Sequence, residues 1–134
     1  MARTFMERVA EAQAEVPVIS VAETQRRVQE DPNTLVLEVR DAKDVRASGI
    51  IPGAHHSSLG TILYKADHSL PEEWRDPAFN DHDRPIITTC GIGAMASIAA
   101  KELKDLGFTN VAILDGGTQG WIDAGQPTEP FTGE

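Results

Sequence analysis

The single cysteine of this 134-residue chain, Cys90, stands between a predicted strand and a predicted helix. Residues 86–89 are Ile, Ile, Thr and Thr, and such β-branched runs are typical of a buried parallel strand. From residue 96 onward the apolar residues follow a helical period, so the thiol faces a helix N-terminus, where the helix dipole favours an anion. The spacing therefore predicts a thiolate that acts as a nucleophile.

The five residues that follow the cysteine are predicted to form an anion cradle. Glycine accepts positive φ angles, so a loop with two glycines can turn several backbone N–H groups toward one point. In this loop that point is the sulfur atom, and we expect the thiol to be partly exposed. The predicted site consists of the catalytic residue Cys90 and the anion-binding residues Gly91, Ile92, Gly93, Ala94 and Met95.

A buried structural cysteine is the alternative interpretation of Cys90. A lone cysteine more often behaves as a small buried hydrophobic residue than as a nucleophile. A structural cysteine, however, does not need glycines at the first and third following positions. The carboxyl ends of parallel strands are also where α/β proteins place their sites. The sequence therefore favours the nucleophile.

Length and composition predict one soluble domain. The chain has 40% hydrophobic residues, and its 12 basic and 21 acidic residues give a net charge of −9, which opposes binding to nucleic acid or to an anionic membrane surface. One cysteine cannot form an internal disulfide bond, and a reactive thiol suits a reducing compartment. No apolar run has the length of a membrane span or a signal sequence, so we expect a cytoplasmic protein.

Helical and strand patterns alternate along the chain, as expected for an α/β fold. Residues 4–15 predict an amphipathic helix with Phe5, Val9 and Ala12 on one face, and we assign residues 1–15 to a helical extension that precedes a domain at 16–130. Further helices are predicted at about 21–29, 42–47 and 96–106, and around Trp121, and strands at 17–19, 35–39, 55–57, 86–89 and 111–114.

Residues 59–84 are predicted to form a short helix and then a long surface excursion. Tyr64, Trp74 and Phe79 either pin this segment to the domain or line a wall above Cys90, and the sequence leaves both possibilities open.

Ionisable residues elsewhere in the chain give weaker signals. Arg40 and Asp44 are spaced for an ion pair, although an exposed pair of that kind contributes little. The four histidines lack metal-ligand spacing, so we expect neither a metal site nor a cofactor.

Three further motifs resemble those of the rhodanese family of single-domain sulfurtransferases, over about residues 16–130. Residues 37–45, LEVRDAKDV, resemble the first signature of the family around Asp-Val-Arg, and residues 49–54, GIIPGA, resemble its Gly-His-Ile-Pro-Gly-Ala. Residues 114–127, LDGGTQGWIDAGQP, resemble its C-terminal signature and are the most specific match. The resemblance implies a rhodanese-like five-stranded parallel sheet with helices on both faces, and a persulfide that forms on Cys90.

Several positions depart from the family pattern. Glu38 replaces the usual aspartate and Ile50 the usual histidine, and we expect both to lie away from the chemistry. Met95 stands where an arginine commonly closes the loop, and Leu59 stands where a related subgroup often has an arginine. A pocket without these cations is predicted to be neutral and apolar, so that doubly charged thiosulfate lacks its usual partner.

The resemblance implies a sulfurtransferase that moves a sulfane sulfur through a persulfide, with weak activity on thiosulfate. Its partners would be a small sulfur donor and a thiol or protein acceptor, and the chain would act as a monomer or a homodimer. A sulfur-carrier or protein-interaction module without turnover is the alternative. A phosphatase on a related scaffold needs an arginine six residues after its cysteine, where this chain has Ala96, and we exclude that function.

Overall fold

The computed structural model describes residues 2–133, in which helices and strands alternate along the chain. The strands are β1 (Val18–Ile19), β2 (Leu35–Glu38), β3 (His55–His56), β4 (Ile86–Thr89) and β5 (Val111–Leu114). The helices are α1 (Phe5–Glu15), α2 (Val21–Glu30), α3 (Ala42–Ser48), α4 (Leu59–Lys65), α5 (Ala94–Asp105) and α6 (Gly117–Asp123). None of the helices in this part of the chain is long and apolar enough to cross a membrane.

The strands form one parallel sheet in the order β1-β5-β4-β2-β3, which confirms the predicted fold class. Strand β4 lies at the centre, where Ile86 pairs with Leu35 of β2 and with Val111 of β5. All four residues of β4 are buried, as expected for a parallel strand covered on both faces. The carboxyl ends of β2, β4 and β5 meet at one edge, and Cys90 follows β4 there.

Alternate residues of the strands supply two separate cores. On one face Leu37 and Ile86 pack in a cluster that also contains Leu103 of α5 and Cys90. On the other face Val36, Ile87 and Leu114 pack with Trp121 of α6 in a second cluster. The period of two along each strand therefore places helices on both faces of the sheet.

Helix α1 packs lengthwise against α5. It begins after Thr4, whose hydroxyl accepts a hydrogen bond from the N–H of Glu7, and it buries Val9 and Ala12. The prediction that Phe5 shares this buried face is wrong, because Phe5 is 49% exposed. The buried stripe begins one turn later, at Val9, so the first turn of the helix extends into solvent.

The segment after α4 is pinned by one aromatic residue. Two short 3₁₀ turns, Glu72–Trp74 and Pro77–Phe79, interrupt it, and Phe79 is only 1% exposed. Tyr64 and Trp74 are largely exposed and line a surface cleft with Lys65 and Glu73, and no residue of the Cys90 loop lines that cleft. Phe79 therefore pins the segment, as one of the two possibilities requires, whereas Tyr64 and Trp74 form a separate surface.

Candidate active site

The sulfur atom of Cys90 lies at the N-terminus of α5 and accepts two backbone hydrogen bonds. The N–H of Gly93 donates to Sγ at 3.1 Å, and the N–H of Ala96 donates at 3.3 Å. Gly93 has φ 104°, a left-handed conformation that favours glycine, and it is the N-cap of α5. The loop and the first turn of the helix thus converge on the sulfur, with donors that stabilise an anion.

The donors differ in part from the predicted cradle. Among Gly91, Ile92, Gly93, Ala94 and Met95, it is Gly93 that donates to Sγ in the described structure. Ala96 was not among the predicted cradle residues. Helix α5 begins at residue 94 instead of the predicted 96, so the N–H of Ala96 belongs to the first turn and has no partner within the helix. The unpaired N–H groups of a first helical turn are the signal that would have identified this donor.

The thiol is more deeply buried than predicted. Cys90 is 2% exposed, so the expectation of a partly exposed thiol is wrong. The loop folds over the sulfur, and Ile92 at its tip is 74% exposed. The N–H groups of Gly93 and Ala96 are the hydrogen-bond donors that reach this buried sulfur.

The N-terminus of α6 orients the first two peptide groups of the loop. The N–H of Thr118 donates to the carbonyl of Cys90 at 2.8 Å, and the N–H of Gln119 donates to the carbonyl of Gly91 at 3.0 Å. Gly117 packs directly beneath them, because a Cβ atom at that position would lie 2.7 Å from the Cys90 carbonyl oxygen. The motif at residues 114–127 thus holds the loop by its carbonyl groups.

A fully buried carboxylate supports this contact from strand β2. Glu38 Oε1 accepts hydrogen bonds from the Arg40 guanidinium at 2.7 Å and from the Thr118 hydroxyl at 3.1 Å. The Thr118 hydroxyl also lies 3.0 Å from the hydroxyl of Thr89, the residue before Cys90. The expectation that Glu38 lies away from the chemistry is wrong, since Thr118 connects its carboxylate to the Cys90 carbonyl.

Arg40 approaches the loop, but its charge is already paired. A Cβ atom on Gly91 would lie 3.9 Å from Arg40 Cδ, while the guanidinium donates to Glu38 and to the Ser48 hydroxyl. The predicted ion pair with Asp44 does not form, because Glu38 takes the guanidinium and Arg40 contacts only the Asp44 carbonyl, at 3.5 Å. The loop therefore has no free cation among residues 90–96.

The two adjacent histidines of β3 point to different surroundings. His55 Nε2 pairs with the Asp76 carboxylate at 2.5 Å, whereas His56 Nε2 donates to the Arg40 carbonyl at 2.6 Å. Within residues 2–133, no group of three or more His, Cys, Asp or Glu side chains is arranged to hold a metal ion.

Comparison with known proteins gives a family match over most of the chain. A model of the rhodanese-like domain family matches residues 20–124. The chain is 32% identical over 97 residues to the thiosulfate sulfurtransferase GlpE of Stutzerimonas stutzeri, a match that covers 72% of this chain and 78% of that protein. It is 37% identical over 90 residues, or 64% of its length, to thiosulfate/3-mercaptopyruvate sulfurtransferase 2 of Arabidopsis thaliana, and this match spans only 26% of the relative.

Solved structures share the same fold. A protein of unknown function from Rhodopseudomonas palustris, described as a possible tyrosine phosphatase, superposes with a TM-score of 0.86 and 25% identity over 96% of both chains. The polysulfide-sulfur transferase homodimer of Wolinella succinogenes superposes with a TM-score of 0.71 and 25% identity, over 96% of this chain and 88% of that one.

Proposed function

The chain belongs to the rhodanese-like family, and from that premise we propose that it is a sulfurtransferase that carries a sulfane sulfur as a persulfide on Cys90. The observation that carries this proposal is the pair of N–H groups, from Gly93 and Ala96, that donate to Sγ at 3.1 and 3.3 Å. Such donors stabilise the thiolate before the transfer and the persulfide anion after it.

The proposed reaction has two exchange steps. The Cys90 thiolate attacks the outer sulfur of a donor R–S–S⁻, so that an Sγ–S bond forms, the S–S bond of the donor breaks, and the thiolate R–S⁻ leaves. An acceptor thiolate then attacks the outer sulfur of the persulfide and takes it, which regenerates the Cys90 thiolate. Each step is a thiol exchange at sulfur, and the two together require neither an oxidant nor a reductant.

The first turn of α5 offers donors for the outer sulfur. The N–H groups of Ala94 and Met95 cannot bond within the helix and make no hydrogen bond to the rest of residues 2–133. They extend from the same helix end as the N–H of Ala96. We assign to them the persulfide's outer sulfur, which lies one bond farther from the backbone than Sγ.

The charges around the loop favour a donor with little charge. Arg40 is paired with Glu38, and the loop itself has no cation, so a dianion would enter without a partner. A small persulfide carries a single charge and therefore meets this condition best. The relative from Wolinella succinogenes is named a polysulfide-sulfur transferase, which supports a sulfur atom bonded to sulfur as the group that is transferred. The relative from Stutzerimonas stutzeri is named for thiosulfate, and for this chain we propose weak activity on that substrate.

Intact mass spectrometry tests the proposal. Native protein is incubated with polysulfide, with a small persulfide or with thiosulfate, and its mass is compared with that of Cys90→Ser treated in the same way. We expect wild type to gain the mass of one sulfur atom, which a thiol acceptor then removes, while the variant gains nothing. The proposal is contradicted if both proteins gain sulfur equally, or if neither protein gains sulfur with any of the three donors.

A sulfur carrier without turnover is the second candidate. The exposed apolar tip of the loop, Ile92, and the buried Sγ of Cys90 favour delivery of sulfur by a docked protein over collision with a small donor. Repeated turnover with a small donor and a small thiol favours the enzyme. Loading once, without catalytic turnover, favours the carrier.

A further inference from the structure

Three consecutive hydrogen bonds connect helix α1 to the sulfur atom of Cys90. The side-chain amide of Gln13 donates to the hydroxyl of Ser97 at 3.1 Å, and this hydroxyl donates to the carbonyl of Gly93 at 2.7 Å. Gly93 in turn donates its own N–H to Sγ at 3.1 Å. Gly93 thus donates its N–H to the sulfur, while its carbonyl accepts a hydrogen bond from the side chain of Ser97.

Ser97 is placed to fix the conformation of Gly93. It is fully buried, and both its N–H, at 3.1 Å, and its hydroxyl bond to the Gly93 carbonyl. A serine hydroxyl that bonds four residues back is common in helices. Here, however, the carbonyl belongs to a glycine with φ 104°, and a change in that φ would turn its N–H away from Sγ.

Gln13 supports this direction of the hydroxyl. Because its amide N–H donates to Ser97 Oγ, the hydroxyl hydrogen is left to donate to Gly93. Gln13 lies in α1, before residues 20–124 that the family model matches. A second connection between the same helices, from Glu15 to Lys101 at 3.6 Å and to Lys104 at 3.8 Å, does not lead to the loop.

We propose that Ser97 and Gln13 are positioning residues for Cys90, so that α1 supports the active site as well as the fold. The proposal deepens the proposed function and rests on it for its role in sulfur transfer. The hydroxyl of Ser97 holds Gly93 in the left-handed conformation that directs its N–H at the sulfur. Without it, the thiolate and the persulfide lose part of their stabilisation, and both alkylation and sulfur loading become slower.

Three variants test the chain of hydrogen bonds. Ser97→Ala removes the hydroxyl. Gln13→Glu introduces a carboxylate that accepts from the Ser97 hydroxyl and turns it away from Gly93, whereas Gln13→Ala only removes the donor. Glu15→Gln is the matched control, because it weakens the other connection between α1 and α5.

The readout is the rate of alkylation of Cys90 by iodoacetamide as a function of pH, with polysulfide loading measured in parallel. We expect Ser97→Ala and Gln13→Glu to slow alkylation about fivefold at neutral pH, as the loss of one hydrogen bond would, and to move the profile to higher pH. Gln13→Ala should have a smaller effect, and Glu15→Gln should leave the profile in place.

The proposal is overturned if Ser97→Ala and Gln13→Glu move the pH profile no more than Glu15→Gln does. Gln13 is exposed, so its variants are expected to fold even if Ser97→Ala does not. The Gln13 variants then test the positioning role by themselves. Circular dichroism monitors the folding of every variant. Alkylation needs no sulfur donor. If wild type accepts sulfur from none of the donors, the proposed function fails while the alkylation profile still tests the positioning role.

Discussion

The carboxylate of Glu38 and the hydroxyl of Thr118 lie 3.1 Å apart in the interior of the protein. Glu38 belongs to strand β2 and Thr118 to helix α6, which are far apart in sequence. Thr118 also donates its N–H to the carbonyl of Cys90. A charged group on β2 therefore supports the loop that carries the candidate nucleophile. Arg40 neutralises this carboxylate, so each of the two charges depends on the other inside the protein.

We predict that Glu38→Ala lowers the free energy of unfolding by about 3–5 kcal/mol, because it leaves the largely buried guanidinium of Arg40 without a charged partner. Urea unfolding measures this change. The matched control is Glu30→Ala, which removes an exposed partner of Arg26 and should cost far less. Equal losses in the two variants would show that burial of the Glu38 pair does not matter.

The elements of the fold were predictable because each has a strong local signal. The β-branched run at residues 86–89 and the capping pattern that begins at Ser20 predict a strand and a helix, and β4 and α2 are found there. Their order, together with the family motifs, was sufficient to predict the parallel sheet. Boundaries were less certain, as the start of α5 at Ala94 shows, because small residues fit both a loop and a first helical turn.

Side-chain partners were less predictable because they depend on the packing of distant segments. Arg40 is spaced to reach Asp44, yet it pairs with Glu38. The carboxylate of Glu38 is held in place by the hydroxyl of Thr118, a residue 80 positions away in the sequence. Likewise, the sequence placed Cys90 at the end of a strand but gave no sign that the loop covers its sulfur.

A methyl group at Gly117 is predicted to damage the loop. In Gly117→Ala the Cβ atom would lie 2.7 Å from the Cys90 carbonyl oxygen and 2.9 Å from the Gly91 carbonyl, so the backbone must move. Gly125→Ala is the control, since Gly125 also has a positive φ, of 80°, but nothing lies within 4 Å of its Cβ position. Both variants carry a conformational cost of about 1–2 kcal/mol in the free energy of unfolding.

We expect Gly117→Ala alone to exceed that cost and to reduce sulfur loading of Cys90. Thermal unfolding and intact mass spectrometry on the same samples separate the two effects. If both variants lose the same stability and load sulfur equally well, α6 does not set the geometry of the loop.

The hydrogen bond between Asp76 and His55 predicts a pH dependence of stability. Desolvation raises the pKa of Asp76, but the N–H of Ala78 and the side chain of His55 outweigh it and hold this pKa below its usual range. A carboxylate with a lowered folded-state pKa adds stability above its unfolded pKa of about 3.9, and this stability is lost as the pH falls through the folded-state pKa.

Asp76→Asn should therefore lower the melting temperature by about 1–3 °C at about pH 6, and the gap to wild type should narrow as the pH falls below the unfolded pKa of about 3.9 toward the lower folded-state pKa. Asp81→Asn is the control, because the Asp81 carboxylate accepts from the N–H of Asp83 in a similar turn but has no histidine partner. A gap for Asp76→Asn that stays constant with pH, or that matches the control throughout, contradicts the role of the Asp76 carboxylate.

The last prediction concerns the missing cation. Met95 lies in the first turn of α5 at the closing position of the loop, and it is only partly buried against the core. Met95→Arg introduces a planar guanidinium that can bind the oxyanion oxygens of thiosulfate. We predict a rise of about tenfold in kcat/KM for thiosulfate, which corresponds to about 1.4 kcal/mol of transition-state stabilisation, and no comparable rise for a polysulfide.

Met95→Gln is the control for the charge, since it removes the same core contact and adds a polar group without a cation. Melting temperatures of both variants separate loss of packing from loss of activity, because a buried guanidinium would destabilise the domain. The charge argument is wrong if wild type already turns over thiosulfate efficiently, or if a stably folded Met95→Arg variant gains nothing over Met95→Gln. In either case the substrate anion must be stabilised by groups outside residues 90–96, and the pairing of Arg40 with Glu38 would be the first contact to reconsider.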